Sequence, residues 1–169
     1  MFQSSPARER GRNSACSIAR GGVSGFNPRP RVSAGATWPD WWDGIGATLT
    51  RIEAGLCEIE LLFRDELSQQ HGFFHAGVIS TIADSAGGYA AFSLFPAGSS
   101  VLTVEFKINL LSPADGERMR ATGKVIKSGR TLTICELQAF AIKGGREKLC
   151  AHGMATLMCM QGKSDMKPG

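Results

Sequence analysis

At 169 residues and 18.0 kDa the chain has room for one ordinary domain and no second core of useful size. A composition of 43% hydrophobic and 20% charged residues excludes a disordered chain, and twenty-one glycines without a three-residue repeat exclude a collagen-like one. The formal charge of +4 is no argument for nucleic acid: residues 1–36 hold six arginines against the single acid Glu9, a net +5, so the remaining 133 residues carry −1.

Those first 36 residues are rich in Ser, Gly and Pro and show neither a period-2 nor a period-3.6 apolar pattern, which predicts a flexible basic tail. Only Phe26 interleaves with the arginines, so no nucleic-acid partner is expected. No apolar stretch of secretory length is present, and a cytoplasmic location follows. An Arg- and Ser-rich, acid-poor leader is also the composition of a mitochondrial transit peptide, which leaves the mitochondrial matrix as the alternative. Residues 37–162 are expected to form the domain and 163–169 a short C-terminal tail.

The domain opens on Trp38-Pro39-Asp40-Trp41-Trp42, where Pro39 in a first turn suits a short helix. Two strands are expected at 45–53 and 56–63, joined by a turn at Ala54-Gly55, with Ile59, Leu61 and Phe63 on one apolar face. The twenty residues from Ala76 to Phe95 then contain one charge, Asp84. That length and apolarity would suit a bilayer, but the central carboxylate and the absence of flanking positive clusters argue against a membrane span. The pattern predicts instead a long helix buried inside the domain.

Strands take over after Pro96-Ala97-Gly98. In 101–110 the even positions Leu102, Val104, Phe106, Ile108 and Leu110 are all apolar, which predicts a half-buried strand with one apolar face and with Thr103 on the polar one. Further strands are expected at 117–127, 131–142 and 147–160, separated by Ser128-Gly129 and Gly144-Gly145, connections short enough to be hairpins. The fold class is therefore α+β, an antiparallel sheet wrapped around one long central helix. Five cysteines with no C-x-x-C spacing predict free thiols in a reducing compartment. His71, His75 and His152 do not form a metal-ligand set, so no metal is expected.

The segment leading into the helix, Gln69-Gln70-His71-Gly72-Phe73-Phe74-His75-Ala76-Gly77, carries the candidate chemistry. Backbone N–H groups at a helix start lack intrahelical acceptors and favour an oxyanion or a polarised carbonyl. Asp84 has no Lys or Arg within four residues on either side. An unpaired carboxylate in an apolar helix is costly, which points to function. It lies seven residues after Gly77, about 10 Å along a helix axis, too far to act on a carbonyl held at its own helix start. Two such helices packed antiparallel across a two-fold axis would bring each Asp84 to the partner's helix start, so a homodimer with two composite sites is expected.

The run His75-Ala76-Gly77-Val78, followed by Ile82-Ala83-Asp84-Ser85-Ala86-Gly87-Gly88-Tyr89-Ala90-Ala91, resembles the signature of the hotdog-fold acyl-CoA thioesterases of the phenylacetate-degradation (PaaI-like) family. Ser112-Pro113-Ala114 and Gly129-Arg130-Thr131 also match, and the resemblance covers roughly 38–160. It implies hydrolysis of an aryl- or medium-chain acyl-CoA, with no cofactor beyond the coenzyme A of the substrate. The amide of Ala76, with Gly77 beside it, would hold the thioester carbonyl, and Asp84 would activate water or attack directly. Gln69 would orient the thioester or the water, and Thr103 would stand beside the acid. His75 would fix the helix start or serve as a base.

Lys124, Lys127 and Arg130 would meet the coenzyme A phosphates, in a homodimer or a dimer of dimers. Phe73, Phe74, Tyr89 and Phe92 are candidates to line the acyl pocket or to pack in the core. The usual His-Gly-Gly is here His75-Ala76-Gly77, which keeps the donor only if the backbone at Ala76 has negative φ. Two other readings share these residues: a hotdog dehydratase acting on hydroxyacyl thioesters, and a module that binds acyl-CoA without turnover.

Overall fold

A computed structural model describes residues 44–162. The expectations on the basic tail, the aromatic run at 38–42 and the last seven residues lie outside them. Among the described residues there are six strands: β1 Thr48–Glu53, β2 Leu56–Leu62, β3 Ser99–Leu110, β4 Arg118–Ser128, β5 Leu132–Lys143 and β6 Arg146–Gln161. A single long helix, α1, runs Ala76–Phe92 between β2 and β3, and a short 3-10 turn covers Asp65–Leu67. The strands form one antiparallel sheet in the order β1-β2-β4-β5-β6-β3. This is the expected hotdog architecture, a sheet curled about one helix.

The hairpins follow from their turn residues. Gly144 and Gly145 both have positive φ (54° and 75°), the geometry that lets a two-residue turn match the twist of β5 and β6. Helix α1 ends at Phe92, three residues before the apolar run ends at Phe95, with Ser93 as its C-cap. The Ser93 hydroxyl donates to the Ala90 carbonyl (2.7 Å) and accepts the Gly55 N–H (2.8 Å), tying the helix end to the β1–β2 turn.

Ile79, Ile82, Ala83, Ala86, Gly87, Ala90 and Ala91 recur at helical spacing and are all buried against the sheet. The fit is close enough that a Cβ on Gly123 of β4 would collide with the backbone of Ala86 and Gly87. Ile59 and Leu61 of β2, Met119 of β4, Leu137 of β5 and Leu157 of β6 complete the core. Cys57, Cys135, Cys150 and Cys159 are free thiols, as expected, and burial pushes Cys57 and Cys135 up to about 12, which makes them inert packing groups.

Two expectations are corrected. First, α1 is not buried all round. Ala76, Gly77 and Thr81 are exposed and Ser80, Asp84 and Ser85 half-buried, so one face of small and polar residues stays open. Second, the apolar even positions of β3 do not form one stripe. A bulge between Thr103 and Glu105 shifts the register against β6.

Before the bulge Leu102 lies opposite Met158, on the outer face. Beyond it Phe106 lies opposite the buried Ala155, on the helix side of the sheet. The extra residue inverts the alternation, so Thr103 and Phe106 come to share the helix face. Because β3 is the sheet edge, Leu102, Val104, Phe106 and Leu110 remain 44–54% exposed. Among the described residues no helix is long and apolar enough to cross a membrane.

Candidate active site

The loop before α1 is closed by its own backbone. The Gln69 N–H donates to the Phe73 carbonyl (2.9 Å), the Gly72 N–H to the Gln69 carbonyl (2.9 Å), and the His75 N–H to the Leu67 carbonyl (2.9 Å). Phe74 anchors it in the core, edge-on to Phe63 with ring centres 5.2 Å apart. His75 is the N-cap of α1, with extended backbone (φ −67°, ψ 140°), and its Nδ1 accepts the Gly77 N–H at 2.9 Å.

That cap separates the two candidate donors. The Gly77 N–H is taken by His75, whereas the Ala76 N–H has no acceptor among the described residues. Ala76 is the first helical residue and so has negative φ; its departure from the usual glycine therefore costs no backbone strain. The helix start thus presents one free main-chain donor. His75 acts here as a cap, and nothing in its surroundings sets it against Asp84.

Asp84 lies two turns further along the open face of α1. Its Oδ1 accepts a hydrogen bond from the Thr103 hydroxyl at 2.9 Å, and its Oδ2 has no partner among the described residues. Burial pushes the carboxyl above its ordinary value, and the Thr103 hydrogen bond partly opposes that shift. Asp84 opens into a cavity of about 230 Å³ lined by Ser80, Thr81, Asp84, Ser85 and Phe106. The hydroxyls of Ser80 and Thr81 are turned away to the carbonyls of Ala76 and Gly77. A half-buried carboxylate with one oxygen anchored and the other free, facing an open cavity, is arranged to take a proton or to attack.

Thr103→Val is expected to move the acid limb of the kcat/KM–pH profile to higher pH. Removing the hydrogen bond that stabilises the anion raises the Asp84 pKa further, and the base is lost as pH falls through it. An unshifted limb would detach Thr103 from the titrating group.

The structure brings Asp84 and Thr103 together as expected and leaves the other candidates apart. Gln69 spends its side-chain oxygen on the His71 N–H (2.6 Å) within its own loop. Lys124, Lys127 and Arg130 are exposed and line no part of the Asp84 cavity. Lys124 follows Gly123, which faces the helix, so alternation puts it on the opposite face of the sheet. Of the aromatic candidates, Phe74 is core and Phe92 packs edge-on against Phe95. The aromatic residue that does line the cavity is Phe106, which the alternation places on the apolar face without marking it as a site residue; the bulge that brings Thr103 to the same face is announced by no glycine or proline in β3. Among the described residues no three His, Cys, Asp or Glu side chains come together.

A family model described as the thioesterase superfamily matches residues 71–148, which include Asp84 and Thr103. The crystal structure of a thioesterase family protein from Silicibacter pomeroyi is 45% identical, with a TM-score of 0.72 over 73% of this chain and 91% of that one. A Saccharolobus solfataricus protein named as an esterase, SSO1253, is 30% identical over 112 residues, 66% of this chain and 72% of its own. The proofreading thioesterase EntH of Klebsiella pneumoniae is 27% identical over 67% of this chain and 82% of its own. The fold is also shared with BH2602 from Bacillus halodurans, whose structure was solved with CoA (19% identity, TM-score 0.66, 75% of this chain and 82% of that one). With 45% identity over nine-tenths of the Silicibacter protein, the same curled sheet, and the matched segment running through the acid, the chain belongs to the thioesterase superfamily and is a thioester hydrolase.

Proposed function

We propose that the protein hydrolyses acyl-CoA thioesters at two composite sites of a homodimer, as PaaI-like thioesterases do. The observation that carries this reading is Asp84: half-buried, unpaired with any cation among the described residues, held at one oxygen by Thr103 and open at the other. In each site the thioester carbonyl oxygen rests on the Ala76 N–H of one subunit, and Asp84 of the partner subunit takes a proton from water. The water oxygen adds to the carbonyl carbon, and the oxyanion is held by the amide. The C–S bond then breaks, and Asp84 returns its proton to the leaving sulfur, giving the free acid and the thiol of coenzyme A.

Pairing across a two-fold axis is supported by distance and by surface. Seven helical residues separate Gly77 from Asp84, about 10 Å along the axis. The open face of α1 carries only small groups at Ala76, Gly77, Ser80 and Ser85, which permits a second helix to approach closely. Edge strand β3 exposes Val104, Phe106 and Leu110 beside that face, a surface that a second copy would cover. The CoA held by the Bacillus halodurans fold relative is in keeping with a CoA thioester as substrate.

A thiol-release assay across aryl, short and long acyl-CoAs, with light-scattering mass on the same preparation, tests both halves. Thiol release from a particle of at least two chains is expected. Tight acyl-CoA binding without thiol release would make the protein a binding module, and dehydration of a hydroxyacyl-CoA without thiol would make it a dehydratase.

A further inference from the structure

A cavity of about 720 Å³ opens between the β5–β6 hairpin and the loop that leads into β4. None of its lining residues belongs to α1 or β3, so it lies apart from the Asp84 site and from the surface that a second copy would cover. Its charged lining is Asp115, Glu117, Lys143, Arg146, Glu147 and Lys148, three acids and three cations that balance in number but not in availability. Lys143 Nζ donates to both oxygens of Asp115 (2.9 Å each). Glu117 accepts the Gly144 N–H (3.4 Å). Glu147 pairs with Ile142 in the ladder and so turns to the outer face, where it accepts from the Arg120 guanidinium (2.7 Å). Each acid is spent, whereas Arg146 and Lys148 are exposed and without a hydrogen-bond or ion-pair partner among the described residues.

Strand register concentrates that excess. Arg146 lies directly opposite Lys143 across the hairpin and Lys148 opposite Ala141, so the three cations share one face of the sheet. Like charges directly opposite each other are destabilising, and Asp115 answers only Lys143. We propose that this cavity is a binding site for a phosphate-bearing ligand, with Arg146 and Lys148 as its anchors. A guanidinium fork matches two oxygens of a phosphoryl group, and the ammonium two residues along the same face adds a second charge. A monocarboxylate would leave one of the two cations unanswered. The Glu117 N–H donates to the Ile142 carbonyl (2.9 Å), which fixes the hairpin to the loop, and the Ala114 carbonyl of that loop accepts the Phe74 N–H (3.2 Å) beside the N-cap His75. The site therefore lies at the end of the domain where α1 starts. Two sources of phosphate fit it: a CoA thioester held at that helix start, which rests on the hydrolase reading above, and a free phosphorylated nucleotide, which does not.

The test titrates pyrophosphate into wild-type protein and an Arg146→Gln/Lys148→Gln double variant, by calorimetry and melting temperature at constant ionic strength. Wild type is expected to bind, and the double variant to bind about tenfold more weakly. Without ligand the variant should melt no lower than wild type, because it removes facing like charges. No binding to wild type, or equal binding to both proteins, overturns the site. Should the double variant misfold, Arg146→Lys decides: it keeps the charge and loses the fork, so binding should weaken about threefold, and unchanged affinity overturns the proposal. KM separates the sources, measured for the acyl-CoA turned over fastest and for the same acyl group on pantetheine, which carries no phosphate. Phosphates of the substrate predict a KM about tenfold higher for the CoA thioester alone in the double variant. A free nucleotide predicts unchanged KM for both thioesters, with ADP bound by wild type and lost with the two cations. Wild-type protein that hydrolyses no thioester overturns the hydrolase reading alone, since pyrophosphate binding is read without turnover.

Discussion

Asp84→Asn is expected to lower kcat for thioester hydrolysis by about 10²–10⁴-fold, the range supplied by a positioned general base, while raising the melting temperature at neutral pH. The substitution keeps the oxygen that accepts the Thr103 hydroxyl and removes only the charge. Burial holds the Asp84 carboxyl above its ordinary value, so the folded state binds that proton more tightly than the unfolded chain does. The destabilisation is therefore absent below the ordinary carboxylate range and grows as pH rises through the raised value. The stability gap between variant and wild type should close on acidification. A variant that loses activity and also melts lower at neutral pH would make Asp84 a structural group; an active Asp84→Asn enzyme would remove the mechanism.

Ala76→Pro is expected to be nearly as damaging to activity and nearly silent for the fold. Proline at the first helical position removes a main-chain N–H that has no acceptor among the described residues. The preceding residue, His75, already has ψ 140°, the extended backbone that proline requires before it. Loss of one oxyanion donor corresponds to about 10²–10³ in kcat. Circular dichroism and thermal melting should match wild type while thiol release falls. Unchanged activity would move the oxyanion donor elsewhere, and Gly77 is a poor substitute because His75 already holds its N–H.

Legibility in the sequence tracked how locally each feature is encoded. The Gly144-Gly145 pair fixes the β5–β6 hairpin by its own φ values, and β4, β5 and β6 lie within a residue or two of their expected ends. Asp84 stood out as the one charge in twenty residues, and Thr103 was reached through the family resemblance. What alternation could not register is a single inserted residue. The bulge at Val104 reverses the alternation, so Phe106 faces the helix as the apolar stripe predicts, while Leu102 turns outward and Thr103, expected on the polar face, joins the helix side. Burial of α1 was overread for a related reason: alanine, glycine and serine read as apolar or small on either face, and only the sheet's position decides which face is covered. Charges such as Lys124 and Arg130 carry no pattern that fixes their distance from a site formed by other strands.

Hybrid dimers that pair an Asp84→Asn subunit with an Ala76→Pro subunit, isolated through two different affinity tags, test the composite site most directly. In a composite arrangement one of the two sites combines the intact Asp84 of the proline subunit with the intact Ala76 amide of the asparagine subunit. The hybrid should then turn over acyl-CoA at about half the wild-type rate per dimer, although both parent dimers are nearly inactive. A hybrid no faster than its parents would place both groups within one subunit and contradict the account.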